Sequence, residues 1–316
     1  MCKVVVIGGV TASGKSNMAV ELAQKNNGII INADSLQLYS GLPILSAQPS
    51  RHHRELVEHK LYAIYSPYQR SSVFDWLQIA LEEINGAIAE KKLPIVVGGT
   101  GMYISRLIDG IREIPSTDQN LRKYSNTMYD DLGWNEFHRV VREMDPEGVS
   151  RIEQHNRQRL IRLYEINMLS GKKLSELDNT PNNLLFNPRD IFLINILPAR
   201  DIIYGRCESR FRMFLDDAVR EVQGFMEKYS DISEGNYPVS HTLGFSEIRQ
   251  YISGELSRDD MISLSIKKIR HYAKRQYTWF RNQFKQIDFL LEHIPNKEDL
   301  NKLSEEINVR ILKDKL

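Results

Sequence analysis

The chain of 316 residues is 41% hydrophobic and 26% charged, and its formal net charge is +1 at pH 7. This composition provides enough apolar surface for one large or two ordinary globular domains. The near-zero net charge excludes a uniformly basic chain, so any nucleic-acid site must come from local clustering of basic residues.

The cysteines and the apolar runs narrow the expected location of the protein. Cys2 and Cys207 are the two cysteines of the sequence, and they cannot form a disulfide framework. No apolar run reaches the length of about 18 residues that a membrane span requires, and no cleavable signal segment precedes the first predicted strand. The sequence therefore predicts a soluble protein of the cytoplasm.

The first predicted element is a strand of β-branched residues at 4–7, and a glycine-rich loop follows it. The loop has the spacing G-x-x-x-x-G-K-[ST], which ends in Lys15 and Ser16. Its backbone N–H groups are expected to bind phosphate at the positive end of the next helix, and Ser16 suits a magnesium ligand. The alternative is a chance glycine-rich turn. The predicted diphosphate-binding or nucleotide-binding residues are Gly9, Val10, Thr11, Ala12, Ser13, Gly14, Lys15 and Ser16.

The second predicted strand, residues 29–32, delivers Asp34, Ser35 and Gln37 to the loop that follows it. Residues just beyond the carboxyl end of a parallel strand line the ligand crevice. Asp34 is therefore expected near Lys15, where its carboxylate can accept a proton or hold a magnesium-bound water. A helix cap or turn-forming role is the alternative, because Asp and Ser often occupy such positions.

The third predicted strand, residues 93–97, ends in a glycine-rich turn with Thr100 and not in an acidic residue. A P-loop ATPase usually ends a later strand with an aspartate that holds magnesium. The turn at residues 98–101 is shaped for the close approach of a ligand or of backbone. The alternative is that its glycines only permit a tight connection between strand and helix.

The alternation of strand and helix stops at residues 115–187, which we predict to be an all-helical domain inserted into the core formed by 1–114 and 188–316. The insertion is entered at Pro115 and left through the loop from Pro181 to Pro188. Within it, Gln158 and Arg162 are four residues apart and share one helical face. Helical arginines are often only solvated surface, and that alternative stays open here.

A further strand at residues 191–197 resumes the core, and a predicted helix with four arginines follows it. If the start of that helix faces the glycine-rich loop, its arginines are natural partners for a polyanionic leaving group. The sequence does not choose among them. The candidates are Arg200, Arg206, Arg210 and Arg212.

A long C-terminal helix is predicted at residues 261–286, a segment that contains no Asp or Glu. One face is apolar, and a basic stripe formed by Lys267, Arg270, Lys274, Arg281 and Lys285 lies beside it. A basic face without acidic residues on a packed helix is typical of a surface that binds the phosphate backbone of nucleic acids. A solvated surface face, which normally mixes in Glu, is the alternative.

These separated motifs resemble those of the bacterial tRNA dimethylallyltransferases, over nearly the whole chain. That family transfers a dimethylallyl group from its diphosphate to N6 of adenosine 37, next to the anticodon. The KRQYTWFR motif is the most specific, because an unrelated kinase has no reason to carry it. The motifs are TASGKS at 11–16, NADSLQLY at 32–39, GGTG at 98–101, QRLIR at 158–162 and KRQYTWFR at 274–281.

The resemblance implies an α/β fold, a P-loop NTPase-like parallel sheet flanked by helices with an inserted all-helical domain. It also implies that Asp34 accepts the proton of the adenine amine, and that Thr11, Lys15 and Ser16 hold the diphosphate with Mg²⁺, without ATP hydrolysis. The basic helix and the insertion are then expected to contact tRNA. The positions implied to bind tRNA are Asp34, Ser35, Leu36, Gln37, Thr100, Arg122, Gln158, Arg159, Leu160, Ile161, Arg162, His241, Gly244, Lys274, Arg275, Gln276, Thr278, Trp279 and Arg281.

The expected partners are the anticodon stem-loop of tRNA and dimethylallyl diphosphate, with no membrane partner, and the enzyme is expected to be a monomer. Three positions depart from the family pattern, namely Val10, Gln48 and Asn156, and Gln48 is therefore not counted among the predicted site residues. Three rival functions remain open. They are a P-loop small-molecule kinase, a prenyltransferase acting on free adenine nucleotides, and an RNA-binding module with a vestigial P-loop.

Overall fold

The computed structural model describes residues 3–111, 118–178, 182–232, 237–284 and 286–312. A parallel sheet lies at the centre of the fold, and its main strands are short runs of Val and Ile that are buried along their full length. Such runs are typical of parallel strands covered on both faces. The strands within the described residues are β1 (Val4–Gly9), β2 (Gly28–Asn32), β3 (His59–Lys60), β4 (Leu93–Gly98), β5 (Ile191–Ile196) and β6 (Phe289–Leu291).

The strand order is β3-β2-β4-β1-β5-β6, and every pairing is parallel. In the register, Ile7 lies opposite Val97 of β4 on one side and Ile194 of β5 on the other. The carboxyl ends of β1, β2 and β4 therefore meet at one edge of the sheet, where ligands of open α/β folds bind. The predicted parallel sheet is confirmed, and the loops singled out in the sequence lie at this edge.

The helices begin where the sequence offers capping groups. Ser72 and Asp75 form a capping box at the start of one helix, and Ser257 caps another through the N–H of Asp260. The helices of the described chain are α1 (Lys15–Lys25), α2 (Arg51–Leu56), α3 (Val73–Ala89), α4 (Gly101–Asp109), α5 (Gln119–Met144), α6 (Pro146–Ser150), α7 (Arg157–Ser170), α8 (Leu174–Asp178), α9 (Arg200–Met213), α10 (Leu215–Lys228), α11 (Phe245–Ile252), α12 (Arg258–Gln283) and α13 (Lys297–Leu312).

The chain divides into two compact units, Met1–Ile108 with Phe186–Leu316, and Asp109–Leu185. In the first unit, alternate residues of β1 serve different faces of the sheet. Val5 and Ile7 belong to a core cluster with residues of α1 and α13. Gly8 faces the other way, toward Phe280 of α12 and Ile104 of α4. Helices thus cover both faces of the sheet.

The second unit is helical and has a core of its own, centred on Phe137, Val141 and Leu160. Its longest helix, α5, breaks at Gly133, whose φ of 69° and ψ of 178° are not helical. The antiparallel bridge between Ile111 and Asn183 joins the two ends of the unit. Pro115 and Pro181, which we predicted as the entry and the exit of the insertion, lie outside the described residues.

Two strands and several helices were not predicted, namely β3, β6, α2, α6, α10, α11 and α13. β3 is a two-residue strand, and β6 is a three-residue strand at the opposite edge of the sheet, so neither carries a readable alternation. They exist because their backbones pair with β2 and β5. Across the described residues, no helix combines the length and the apolar character that a membrane crossing requires.

Gly98 ends β4 where the strand lies against the backbone beyond β2. A Cβ atom at Gly98 would lie 2.0 Å from the carbonyl oxygen of Ala33, a backbone atom that also accepts the N–H of Thr100 at 3.1 Å. Backbone held in this way cannot move aside. The identity of residue 98 is therefore fixed by sheet packing.

We expect Gly98→Ala to lower the free energy of unfolding by about 3 kcal/mol or more, because the added methyl group overpacks a rigid site. Gly86→Ala is the matched control. Gly86 lies inside α3 and a Cβ there would meet no atom within 4 Å, so alanine should stabilise the helix by about 0.5–1 kcal/mol. Urea unfolding of both variants measures the difference, and equal effects would show that Gly98 is not fixed by packing.

Candidate active site

The glycine-rich loop at residues 9–16, named the phosphate loop after its predicted ligand, runs from the end of β1 into the start of α1. Gly9 adopts a φ of 145°, and a Cβ atom there would lie 2.4 Å from the carbonyl oxygen of Ile196. Gly14, with a φ of 93°, forms the N-cap of α1 and makes no side-chain capping bond. The first backbone N–H groups of α1 are therefore left to an anion at the positive end of the helix.

Lys15 bends back over this loop, and its Nζ donates a hydrogen bond to the carbonyl oxygen of Val10 at 2.5 Å. Burial lowers the pKa of Lys15 to about 8; the negative charge of Asp34 acts in the opposite direction, and Arg210 lowers the pKa further. An anionic ligand beside Lys15 would favour its charged form. The loop thus holds a cation that is costly to keep there without an anion.

Two serines of the loop differ in their surroundings. The hydroxyl of Ser13 is buried and has no hydrogen-bond partner among the described residues, while Ser16 is exposed at the first turn of α1. An unpartnered buried hydroxyl is costly and calls for a ligand acceptor. Ser16 offers a hard oxygen donor of the kind that magnesium prefers. The described residues contain no cluster of three or more His, Cys, Asp or Glu side chains that could hold a metal without help from a ligand.

Of the four candidate arginines, the structure brings two to the phosphate loop. Arg206 donates from Nε to the carbonyl oxygen of Ala12 at 2.8 Å, and Arg210 donates from Nη2 to Oγ1 of Thr11 at 2.9 Å. The two lie four residues apart on α9 and so share one face. The guanidinium of Arg200 instead lies over the ring of Tyr277, and Arg212 pairs with Glu208.

The backbone of Asp34 is hydrogen-bonded to the side chain of Asn32, which is fully buried. Asn32 accepts the N–H of Asp34 at 2.8 Å, and its Nδ2 donates to the carbonyl oxygens of Asp34 at 2.9 Å and of Leu61 at 3.0 Å. The backbone carbonyl oxygen of Asn32 accepts a hydrogen bond from the indole N–H of Trp76 at 2.8 Å. The amide of Asn32 uses its acceptor and both donor positions, which fixes the backbone that carries Asp34.

The carboxylate of Asp34 is partly buried and lies among cations. Burial raises the pKa of Asp34, while the N–H of Leu36, which donates to Oδ1 at 3.1 Å, and the charges of Lys15 and Arg210 hold this pKa down. A carboxylate with a raised pKa is a stronger base than an exposed one. The prediction that Asp34 and Lys15 lie near each other is thus supported by their electrostatic interaction.

The glycine-rich turn after β4 accommodates side chains of α12. A Cβ at Gly99 would lie 2.3 Å from Nε2 of Gln276, and a Cβ at Gly101 would lie 2.1 Å from the ring of Trp279. Between them, Thr100 accepts the N–H of Ser35 at 2.9 Å. The turn therefore serves the close approach of protein groups and ties α12 to the loop that carries Asp34.

A cleft open to solvent lies beside these groups. The polar residues that line it are Thr11, Asp34, Ser46, Arg210, Thr242 and Tyr272. Cys207 also lines it, and burial raises the pKa of this thiol, which therefore stays neutral. The remaining wall is largely apolar, with Leu36, Ile44, Leu45, Ala47, Phe211, Phe214, Ala218, Leu243 and Ile269.

One wall of this cleft is held by a carboxylate that the sequence did not suggest. Glu221 of α10 accepts the N–H of Ile44 at 2.7 Å and the N–H of Leu45 at 2.8 Å. From the other side, the amide of Gln37 donates to the carbonyl oxygens of Ser46 and Ala47, each at 3.0 Å. The loop at residues 43–47 is therefore fixed at both ends.

The predicted basic stripe is exposed on α12, but its residues are not equivalent. Arg270 pairs with Glu208 at 2.6 Å and is half-buried. Lys267, Lys274 and Arg281 are exposed and have no acidic partner within the described part of the chain. Lys285 lies outside that part. Three cations thus remain available on this face for phosphate groups.

In the second unit, two of the residues predicted to bind tRNA meet at one buried carboxylate. Glu165 is 1% exposed and pairs with Arg122 at 3.1 Å and with Arg162 at 3.4 Å. Gln158 and Arg159 are exposed on the same helix, α7. The shared carboxylate holds both guanidinium groups in place, so they are more ordered than solvated arginines.

Three of the tRNA contacts implied by the resemblance fall on buried side chains, and these contacts stay predictions. Leu160 and Ile161 are 0% and 5% exposed and pack in the core of the second unit. They belong to the motif because a helix that presents Arg162 must bury its opposite face. Gln276 is 5% exposed, and its amide is bonded to protein backbone.

The other implied contacts occupy varied positions. Leu36 lines the cleft, Thr278 is exposed on α12 and Arg275 lies over the ring of Tyr272. His241 is exposed, and Gly244 is a buried residue with a φ of 92° that caps α11. Their roles toward RNA stay predictions.

The three departures from the family pattern are accommodated locally. Val10 is fully buried beneath the phosphate loop. Gln48 donates to the carbonyl oxygen of Tyr39 at 2.8 Å, so its amide is used within the protein. Asn156 caps α7 by accepting the N–H of Arg159 at 3.2 Å.

Sequence reasoning missed Asn32, Glu221 and the choice of Arg206 with Arg210. The spacing of the two arginines at i and i+4 was a usable signal, because it gives them a common face while Arg200 and Arg212 lie elsewhere. No local signal marks Glu221, which acts on a loop 176 residues away in sequence.

Comparison with known proteins identifies the family of the chain. The model of the IPP transferase family matches residues 37–283, and the Isopentenyl transferase model matches residues 2–65. The tRNA dimethylallyltransferase of Ehrlichia canis (strain Jake) is 38% identical over 307 residues, covering 95% of this chain and 100% of that protein. That of Paramagnetospirillum magneticum (strain ATCC 700264 / AMB-1) is 36% identical over 282 residues, covering 88% of each.

Solved structures agree with these relatives. A full-length tRNA isopentenylpyrophosphate transferase from Bacillus halodurans is 26% identical, with a TM-score of 0.68 and coverage of 99% of this chain and 98% of that one. A eukaryotic dimethylallyltransferase acting on tRNA is 25% identical, with a TM-score of 0.84 and coverage of 98% and 78%. The P-loop NTPase-like fold class is thereby confirmed. The chain belongs to the IPP transferase family, whose members named here are tRNA dimethylallyltransferases.

Proposed function

We propose that this enzyme transfers the dimethylallyl group of dimethylallyl diphosphate to N6 of adenosine 37 in tRNA. One observation carries the proposal: Thr11, Asp34 and Arg210 line the same cleft as an apolar wall formed by side chains such as Phe211 and Leu243. An allylic diphosphate has the same division into a polyanionic and an apolar part. A kinase would need a magnesium aspartate at the end of a later strand, whereas β4 ends in Gly98.

In this proposal each group of residues has a role. The N–H groups of the phosphate loop, Lys15 and Arg210 stabilise the negative charge that develops on diphosphate as its bond to carbon breaks. Asp34 accepts the proton of the adenine amine as the new bond to carbon forms. The base must leave its stack to reach Asp34, as in other enzymes that act on nucleobases.

Magnesium fits the residues present. The exposed hydroxyl of Ser16 is a hard oxygen donor at the start of α1, and diphosphate oxygens and waters complete a magnesium shell in sites of this kind. When bound, the ion neutralises part of the diphosphate charge. Lys15, Arg206 and Arg210 supply the remaining positive charge from the protein.

The proposed tRNA contacts lie in both units. On α12, Lys267, Lys274 and Arg281 offer charges to the phosphate backbone, and in the second unit Arg122 and Arg162 are oriented by Glu165. Prenylation of a free nucleotide would leave these groups without a use. We place the reaction in the cytoplasm, where tRNA is processed, and propose that a monomer carries it out.

Labelled dimethylallyl diphosphate with magnesium should label an anticodon stem-loop that carries adenosine at position 37, and should not label AMP. Asp34→Ala should lower the rate at least about 100-fold, the usual contribution of a general base, while RNA binding is retained. Asp217→Ala, which removes an exposed aspartate of α10 paired with Arg220, is the control and should leave the rate unchanged. Transfer to AMP in place of RNA would contradict the assignment.

The raised pKa of Asp34 also predicts how stability depends on pH. Because the folded pKa lies above the unfolded one, the contribution of Asp34 favours folding at low pH and is lost as pH rises through the folded value. Asp34→Asn should therefore have a higher Tm than the parent protein, with a difference that grows as pH is raised from 4 toward 8. For scale, 1 kcal/mol shifts Tm by about 2–4 °C in a domain of 150–250 residues. A constant or inverted difference would refute this sign.

Lys274→Ala and Arg281→Ala should each weaken binding of the stem-loop and lower the salt slope of log K by about 0.7–0.9 for every phosphate group that the protein no longer neutralises. Arg51→Ala is the control, because Arg51 is a 93% exposed arginine on α2 that pairs with Glu55. Titrations of a fluorescent stem-loop at several salt concentrations give both quantities. Equal behaviour of all three variants would remove α12 from the RNA interface.

A further inference from the structure

Gln276 is a buried polar residue on a helix whose other face is basic. It lies two positions after Lys274 and five before Arg281, both exposed, yet its own side chain is 5% exposed. Oε1 of Gln276 accepts the backbone N–H of Thr11 at 2.8 Å, and Nε2 donates to the carbonyl oxygen of Gly99 at 2.9 Å. One side chain thus joins three segments that are far apart in the sequence.

The two groups that Gln276 holds lead directly to the reacting residues. Thr11 lines the cleft, and its hydroxyl accepts a hydrogen bond from the guanidinium of Arg210 at 2.9 Å. Gly99 precedes Thr100, whose hydroxyl accepts the N–H of Ser35, the residue after Asp34. A displacement of Gln276 would therefore reach the phosphate loop through one bond and the segment of Asp34 through another.

Space around the amide is closed, which makes the link stiff. A Cβ at Gly99 would lie 2.3 Å from Nε2 of Gln276 and 3.5 Å from Oδ2 of Asp34, so the amide and the carboxylate flank the same glycine. One turn further along α12, Phe280 is fully buried against Gly8 of β1. The segment of α12 that carries the exposed cations cannot shift without moving these contacts.

We propose that Gln276 is a positioning residue that couples RNA docking on α12 to the diphosphate site. RNA held by Lys274 and Arg281 restrains α12, and the amide of Gln276 then holds the N–H of Thr11 and the turn at Gly99 in the geometry that binds diphosphate. Since linkage is reciprocal, each substrate raises the affinity of the other by the same factor. The inference rests on the function proposed above, because it requires both RNA and diphosphate as ligands.

The test measures binding without turnover, with magnesium pyrophosphate and an unlabelled anticodon stem-loop as probes. For the parent protein we expect RNA to tighten pyrophosphate binding by about fivefold or more, the lower end of typical coupling. Gln276→Glu keeps the size of the side chain and can accept from Thr11, but it cannot donate to Gly99. Gln276→Ala removes both bonds. In each variant the coupling should fall to less than about twofold, while RNA affinity in the absence of pyrophosphate stays within about threefold of the parent.

Gln283→Ala is the matched control, since Gln283 is an exposed glutamine at the end of the same helix and should keep the full coupling. Two results would overturn the inference: a parent protein that transfers the dimethylallyl group to RNA but shows no coupling, or Gln276 variants that keep it. A melting curve for each variant confirms that it is folded. Failure of the parent to transfer the group to RNA is a different result, and would count against the proposed function itself.

Discussion

The site depends on the close approach of one helix to the carboxyl edge of the sheet. α12 lies against Gly8, Gly99 and Gly101, and at each of these positions a Cβ atom would fall within 2.6 Å of a side chain of the helix. Only glycine permits this distance. The approach places the amide of Gln276 between the phosphate loop and the turn after β4, while the opposite face of the helix keeps its cations exposed. The proposed phosphate binding, the proposed placement of Asp34 as the base and the proposed RNA contact therefore share one element.

Electrostatics explains why this arrangement is held so firmly. Lys15, Arg210 and Asp34 are partly buried in this site, and burial opposes the charge on all three. Such a cluster is unfavourable without a ligand, and a bound anion would favour the charged forms of the two cations. The strain is offset by structure elsewhere, namely the buried Asn32 that fixes the backbone of Asp34 and the Val and Ile strands beneath it. The buried charges lower the stability of the folded protein but are arranged for the proposed function, as expected for a preorganised site.

Much of the architecture could be predicted because its signals are local. Four strands and the long helices follow from runs of β-branched residues and from helical periodicity, and the phosphate loop follows from its spacing. β3 and β6 could not be predicted, since two or three residues carry no period and pair only because the sheet edge is already present. Leu160, Ile161 and Gln276 belong to recognisable motifs, but the motifs did not show that these side chains are buried. A motif marks residues that matter, but burial decides whether a side chain meets a ligand or the protein core.

The sequence by itself determined the chemistry available: a phosphate loop with Lys15 and Ser16, a carboxylate at Asp34, and a helix segment with cations and no acids. These follow from residue type and short-range spacing, which the covalent chain fixes directly. The tertiary structure alone decided which arginines reach the loop, that Glu221 fixes a wall of the cleft, and that Gln276 joins α12 to Thr11 and Gly99. Those contacts join residues more than 170 positions apart, and no local pattern records them, because they arise only when the helices pack on the sheet.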